Sequence, residues 1–202
     1  MSRTALSILI CSILGGLTLS CASARQNPNL PNLISESEYD SLIDTYTANK
    51  KVYDGLYQTV DFYGTLVNSK VAHAQLDQNA RIYQWNQEQF SNKKSEVETK
   101  LSKQTEIFLS FFVPERKHDD LNKPKTLWKI FLDAGGKRYE GRAEKIKTIL
   151  ADVQSLYPHH TRFYTPYRII FSVPTSMIEN GESKLTLTGP VGSASIDFPA
   201  LQ

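Results

Sequence analysis

Cysteine is scarce in this chain. The 202 residues include two cysteines, Cys11 and Cys21, and none follows residue 21. A disulfide-stapled fold and a thiolate zinc site both need several cysteines at regular spacing, so the sequence predicts neither. The formal net charge is also small, at +2. Such a balance gives no broad attraction to nucleic acid, and we expect no nucleic-acid partner.

The usual local frames of catalysis are missing as well. The sequence has no G-x-S-x-G motif, no Gly-rich phosphate-binding loop and no H-E-x-x-H pair. The segment Gly189-Pro190-Val191-Gly192 has proline where a phosphate loop needs a free N–H, and it predicts a turn between strands. We therefore expect a protein that is not an enzyme and that uses no cofactor.

A long uncharged run lies near the start of the chain. Ala5 to Leu19 follows Arg3 and is rich in leucine and isoleucine. Its length of about 15 residues is typical of the apolar part of a secretory signal and is short of the roughly 18 residues of a membrane span. Residues 1–20 are therefore predicted to be a signal peptide, and the protein to be exported.

The segment Leu17-Thr18-Leu19-Ser20-Cys21 resembles the lipobox of bacterial lipoproteins, although Thr18 stands where that family usually has an aliphatic residue. The resemblance covers this segment alone. It implies a fatty-acyl (palmitate) membrane anchor on Cys21, facing the periplasm or the cell surface. The alternative is cleavage after Ala22-Ser23-Ala24, which would release a soluble periplasmic or secreted protein. Residues 21–34 are predicted to be an extended tether because proline and asparagine recur there.

Residues 35–104 contain no proline and are predicted to be helical. Ser35 and Glu38 match a capping box, which starts a helix. Apolar residues then recur at steps of three and four, which favours helices. These residues are Tyr39, Leu42, Ile43 and Tyr46, then Val52, Leu56, Val60, Tyr63, Val67, Val71 and Ala74, then Leu76, Ala80, Tyr83, Phe90, Val97 and Leu101. The interpretation is a long helical hairpin, with one continuous helix over residues 52–103 as the alternative.

Residues 105–202 are predicted to form short strands, since apolar residues alternate and proline recurs. Ile107, Leu109 and Phe111 share one strand face. Leu127 to Leu132 precedes the turn Ala134-Gly135-Gly136, with a partner strand at residues 137–140. Six or seven strands over about 95 residues suit an antiparallel β-sandwich that resembles immunoglobulin-like domains in architecture only. The predicted fold class is α+β, with a helical hairpin followed by this sandwich.

Two clusters are weak candidates for metal ligands. His118, Asp119 and Asp120 lie in a charged loop, and His159 and His160 lie between later strands. Three adjacent side chains do not all point at one ion, so a solvated loop is the simpler interpretation of the first cluster. A joint metal site requires one of the paired histidines to meet His118 at the same end of the sandwich.

An aromatic and basic stretch is the candidate binding segment. It contains Arg162, Phe163, Tyr164 and Tyr167. Such a loop can stack on sugar rings or pack against a partner, and ordinary loop-anchoring aromatics are the alternative interpretation.

The chain as a whole resembles bacterial lipoproteins of uncharacterised role. We expect a cell-envelope lipoprotein that acts as a non-enzymatic interaction or structural module, with a protein partner in the envelope. The first alternative is a periplasmic or surface binding protein for a small ligand or glycan. The second is a metal-dependent hydrolase built on the histidine and aspartate clusters.

Overall fold

The structure is a computed structural model and describes residues 31–201. The predicted signal peptide, Cys21, the alternative cleavage site and most of the tether therefore lie outside the described residues. The described part contains four α-helices and nine strands in two antiparallel sheets. The fold class is thus α+β, which confirms the prediction at this level. No helix within residues 31–201 is both long enough and apolar enough to cross a membrane.

Three of the four described α-helices begin where the sequence supplies a capping side chain. Ser35 and Glu38 form the predicted capping box at the start of α1. The side chains of Asn68 and Asn86 accept hydrogen bonds from the first turns of α2 and α3. The helices are α1 (Glu36–Thr45), α2 (Ser69–Tyr83), α3 (Gln87–Leu101) and α4 (Leu150–Leu156), and Arg116–His118 and Thr175–Met177 form short 3₁₀ turns.

All strand pairs are antiparallel. The first sheet has the order β1-β2-β3-β7-β6 and the second has the order β5-β4-β8-β9. The strands are β1 (Thr47–Asp54), β2 (Tyr57–Val67), β3 (Thr105–Phe112), β4 (Lys129–Ala134), β5 (Lys137–Glu140), β6 (Arg142–Lys145), β7 (Thr165–Phe171), β8 (Ser183–Gly189) and β9 (Gly192–Phe198).

Residues 47–67 form a β-hairpin, so the prediction of helix for this segment is wrong, both as part of a helical hairpin and as part of one continuous helix. Both faces of β2 are covered, with Asp61 and Phe62 buried on opposite faces. Apolar residues therefore occur at odd and even positions, and the resulting steps of three and four imitate a helical stripe. Helices α2 and α3 do follow one another, and the chain reverses between them at residues 84–86.

The two sheets face each other across one apolar core. Phe62, Leu109 and Ile169 of the first sheet and Leu185 and Leu187 of the second are 0 % exposed. The sheets lie close together at Gly64, where a Cβ atom would lie 2.5 Å from Cδ1 of Ile196 on the opposite sheet.

The immunoglobulin-like arrangement is not confirmed. Strands β1 and β2 come from the half of the chain that was predicted to be helical, and β2 pairs with β3 along seven residue pairs. Hydrogen bonding therefore continues across the predicted boundary between residues 104 and 105.

The outer face of the first sheet is covered by helices. Tyr39 and Ile43 of α1 pack with Val71 and Ala74 of α2 in a second buried cluster. The Tyr39 hydroxyl donates a 2.7 Å hydrogen bond to the carbonyl of Leu156 in α4.

Candidate functional site

Three connections meet at one end of the first sheet, which we call the loop end. They are the β1–β2 turn at residues 54–57, the loop at residues 113–119 and the loop at residues 157–164. Asp61 pairs with Phe112, and Phe111 pairs with Thr165. Antiparallel pairing therefore brings the start of β2, the end of β3 and the start of β7 to the same edge.

Asp119 fastens the 113–119 loop to β7. Its carboxylate accepts hydrogen bonds from the hydroxyls of Thr165, at 2.6 Å, and Tyr167, at 2.8 Å. Burial, and then the bond to Asp119, raises the pKa of the fully buried Tyr167. The Asp119 oxygens are thus engaged by the protein, and Tyr167 supports the site from below instead of facing a ligand.

Asp120 and the His118 backbone hold the same loop from its other side. Asp120 is buried and accepts a 3.0 Å hydrogen bond from the Thr126 hydroxyl. The indole of Trp128 donates a 2.8 Å bond to the carbonyl of His118. These two hydrogen bonds hold the loop in place.

Asp61 anchors the 157–164 loop. The hydroxyl of Tyr164 donates a 2.8 Å hydrogen bond to its Oδ2, and Lys51 Nζ lies 3.4 Å from the same oxygen. Burial, and then this hydrogen bond, raises the pKa of Tyr164. Asp61 is 3 % exposed, and its Oδ1 has no hydrogen-bond partner among residues 31–201.

The paired histidines, His159 and His160, belong to this loop and are directed toward the sheet. The ring of His159 stacks on Tyr63 with centroids 5.4 Å apart, and both ring nitrogens are buried without a hydrogen-bond partner in the described residues. Burial, with a smaller contribution from His160, lowers the pKa of His159 to about 4. His160 shares a 2.7 Å hydrogen bond with the hydroxyl of Ser110, and burial lowers its pKa too. Burial therefore favours the neutral form of both imidazoles.

The metal candidates do not converge. Within residues 31–201 no group of three or more His, Cys, Asp or Glu side chains could hold a metal ion. Ser110 and His160 form a hydroxyl–imidazole pair, and both residues are buried, at 0 % and 2 % exposed. Adjacent side chains on an extended segment point to opposite faces, so sequence neighbours such as His159 and His160 are poorly placed to bind the same ion.

Three of the four candidate binding residues line a pocket of about 280 Å³ between two of the loops. Arg162, Phe163 and Tyr164 contribute one side, and Arg116 and Phe112 contribute the other. The guanidinium of Arg162 lies 5.0 Å from the centroid of the Phe163 ring, which is 66 % exposed. Among residues 31–201, neither arginine has a carboxylate within ion-pair distance. The pocket therefore has two guanidinium groups and one carboxylate, that of Asp119, beside an exposed ring.

Sequence reasoning missed the other half of the loop end. Tyr53 and Tyr57 are each 56 % exposed, and Leu56 between them is 103 % exposed. A hollow of about 470 Å³ separates this hairpin tip from His118. The dipeptide Asp54-Gly55, with Gly55 at φ +59°, is a hairpin signal that could have located the turn.

Comparison of the chain with protein-family models finds no match, and the same holds for its sequence against curated proteins and for its fold against solved structures. The site must therefore be interpreted from its own geometry, as an end surface rich in exposed aromatic and cationic groups on a mixed α+β scaffold.

Proposed function

We propose that this chain is a non-enzymatic interaction module of the bacterial cell envelope, exported and held at a membrane through a lipid on Cys21. In this proposal the loop end docks a protein partner. The support for export is the signal-like sequence of residues 1–24. The support for docking is the set of exposed side chains at the loop end.

One observation carries the proposal. Among residues 31–201, seven large hydrophobic side chains are more than half exposed, and four of them, Tyr53, Leu56, Tyr57 and Phe163, lie together at the loop end. Single exposed apolar side chains are ordinary on protein surfaces, whereas several at one end are typical of interaction sites.

The unpaired arginines indicate the chemistry of the partner. Arg116 and Arg162 line the pocket beside Phe163. Arginine and tyrosine are enriched among residues that dominate binding energy at interfaces. We therefore expect the partner to present an acidic group next to an apolar patch.

A photo-crosslinking amino acid at position 56 tests the proposal in cells. We expect one main adduct from this position, and its yield should fall at least about fivefold with Arg162→Glu, because a like charge then faces the acidic group. The matched control is a crosslinker at Ile149, which is 66 % exposed but lies before α4. No adduct at position 56, or the same adduct from position 149, contradicts the proposal.

A second function is favoured by the 280 Å³ pocket itself. Its exposed ring and two arginines also suit a small anionic ligand or an acidic glycan, which Phe163 would stack on. Titration with a panel of glycans against wild type and Phe163→Ala separates this candidate from a protein-docking surface. A ligand that binds saturably and is lost with Phe163→Ala favours the binding protein.

A further inference from the structure

The end of α2 and the start of α4 lie side by side in the helix layer. Gln78 of α2 donates a 3.3 Å hydrogen bond to the carbonyl of Ser155 in α4. Farther along α2, Tyr83 borders the same hollow as Asp152, which lies near the start of α4. The two helices therefore run antiparallel here, and the last residues of α2 meet the first residues of α4.

Apolar side chains are exposed at this meeting point. Tyr83 and Ile149 are more than half exposed, and Ile82 and Leu150 beside them are 43 % and 38 % exposed. The Tyr83 ring also stacks on the partly exposed Trp85, with centroids 6.1 Å apart. We call these five residues the helix-tip patch. None of them borders either hollow of the loop end, so the patch is a second surface of the kind that marks an interaction site.

The N-terminal segment joins the fold beside this patch. The backbone N–H of Ile34 donates a 3.1 Å hydrogen bond to Oδ2 of Asp77 on α2. The guanidinium of Arg81 donates a hydrogen bond to the carbonyl of Ile34. Arg81 directly precedes Ile82 on the same helix. Residue 34 is therefore held next to the end of α2, where the helix-tip patch begins.

A lipid on Cys21 would keep the patch close to a bilayer. Pro31, the first described residue, follows Cys21 by ten positions, and a segment of that length spans at most about 36 Å. A connection this short raises the effective concentration of the bilayer at the patch to roughly the millimolar range. A weak apolar contact is then sufficient to hold the patch against the membrane.

The composition of the patch suits a lipid interface. Tyrosine and tryptophan are enriched at membrane–water interfaces, because each combines an apolar ring with a polar group that remains hydrated. The charged residues within three sequence positions of the patch are balanced in sign, with Arg81 and Lys147 against Glu88 and Asp152. We therefore expect an apolar contact that depends little on the charge of the lipid headgroups.

We propose that the helix-tip patch contacts the lipid bilayer to which the protein is anchored, with Tyr83, Trp85 and Ile149 at the depth of the headgroups. This inference rests on the proposed lipid anchor at Cys21, and it adds which face of the protein is turned to the membrane. The loop end contributes no residue to the patch and stays available to the protein partner.

Quenching of tryptophan fluorescence by brominated lipid provides the test. The protein purified from bacterial envelopes is reconstituted into phosphatidylcholine vesicles, with or without bromine on the acyl chains near the headgroup. Of the two tryptophans, Trp85 belongs to the patch and Trp128 is buried in the core. We expect brominated vesicles to quench the emission and Trp85→Phe to abolish this quenching. Adding anionic phosphatidylglycerol should leave the quenching unchanged.

Two variants locate the contact. Ile149 occupies the N-cap position of α4 without a capping bond, and aspartate is favoured at such positions, so Ile149→Asp should fold normally. It should reduce the quenching at least about threefold, because a charged group opposes insertion into lipid. Leu56→Asp is the matched control, since Leu56 is an exposed apolar residue at the loop end, and it should quench like the wild type.

Sedimentation with the vesicles reports the anchor separately from the patch. A protein that sediments with the vesicles but shows no quenching of Trp85 overturns this inference and leaves the anchor standing. A protein that does not sediment overturns both. Equal quenching in Ile149→Asp and Leu56→Asp also overturns the inference, and so does a photo-crosslinker at Tyr83 that yields a protein adduct, which assigns the patch to a protein partner.

Discussion

The hydroxyl of Tyr164 donates a hydrogen bond to the buried carboxylate of Asp61, 103 positions away in the sequence. This bond joins the 157–164 loop to β2, and it positions Arg162 and Phe163 at the loop end. Lys51 Nζ lies 3.4 Å from the same carboxylate. The geometry of the candidate site therefore depends on a pair that local sequence does not connect.

Removing this bond should weaken the fold. We expect Tyr164→Phe to lower the free energy of unfolding by about 1.5–3 kcal/mol, because a buried charged acceptor loses its donor. Urea denaturation followed by circular dichroism measures the change. Tyr53→Phe is the matched control, since Tyr53 is 56 % exposed, and it should change stability by less than about 0.5 kcal/mol. Equal effects from the two variants would show that the Asp61 bond contributes nothing.

The buried His159 should make the protein sensitive to acid. Its folded-state pKa of about 4 lies below the ordinary value of 6.5. Between these values the unfolded chain binds a proton that the folded chain does not, so stability is full above about pH 6.5 and falls as the pH drops toward 4. The loss should approach about 3 kcal/mol, at roughly 1.4 kcal/mol per pKa unit.

Unfolding by urea at several pH values between 7.5 and 4 measures this loss, and His159→Phe is the reference because carboxylates titrate in the same range. We expect the stability difference between wild type and the variant to change with pH in the stated direction. A difference that stays constant from pH 7.5 to 4 refutes the assignment to His159.

The close contact of the sheets makes Gly64 intolerant of a side chain. Gly64→Ala places a Cβ 2.5 Å from Ile196 Cδ1, and we expect a loss of about 1–3 kcal/mol from overpacking. Gly181→Ala is the control, because a Cβ there meets nothing within 4 Å. Thermal melts of both variants measure the effect. If the two variants have the same melting temperature, the sheets adjust freely at this contact.

The distribution of the protein between the membrane and soluble fractions tests the lipid anchor. We expect Cys21→Ala to move the protein from the membrane fraction to the soluble fraction, because a covalent acyl chain contributes about 0.8 kcal/mol per buried CH₂. Cys11→Ala, the same change at the other cysteine, should leave the distribution unaltered. Fractionation and immunoblotting give the result. A Cys21→Ala protein that stays with the membrane favours a different mode of retention.

Local sequence was sufficient for several elements of the fold. The capping box at Ser35 and Glu38 forms as predicted, since both partners lie within one helical turn. The turn at Gly135 and Gly136 connects β4 to the predicted partner strand at residues 137–140, and both glycines have positive φ. The alternation of Ile107, Leu109 and Phe111 correctly indicates a strand with one face in the core.

The candidate site was predictable only in part. Arg162, Phe163 and Tyr164 do line a pocket, because a short loop keeps neighbours together. Tyr167 and Asp119 bond each other, so they act as supports for the loops. Asp61 was not found, since its place at the site depends on β2 pairing with β3. Leu56 was missed although the Asp54-Gly55 turn signal beside it is local.

The sequence by itself determined the α+β composition, the capped start of α1 and the strands after Thr105, because these depend on side chains a few positions apart. Tertiary structure decided the rest. Residues 47–67 form two strands instead of the apparent helical stripe, because the second sheet covers one face of β2 and α2 packs against the other. The pairing of β2 with β3 brought Asp61 to Tyr164. Burial that depends on residues distant in sequence produces no local pattern from which it could be predicted.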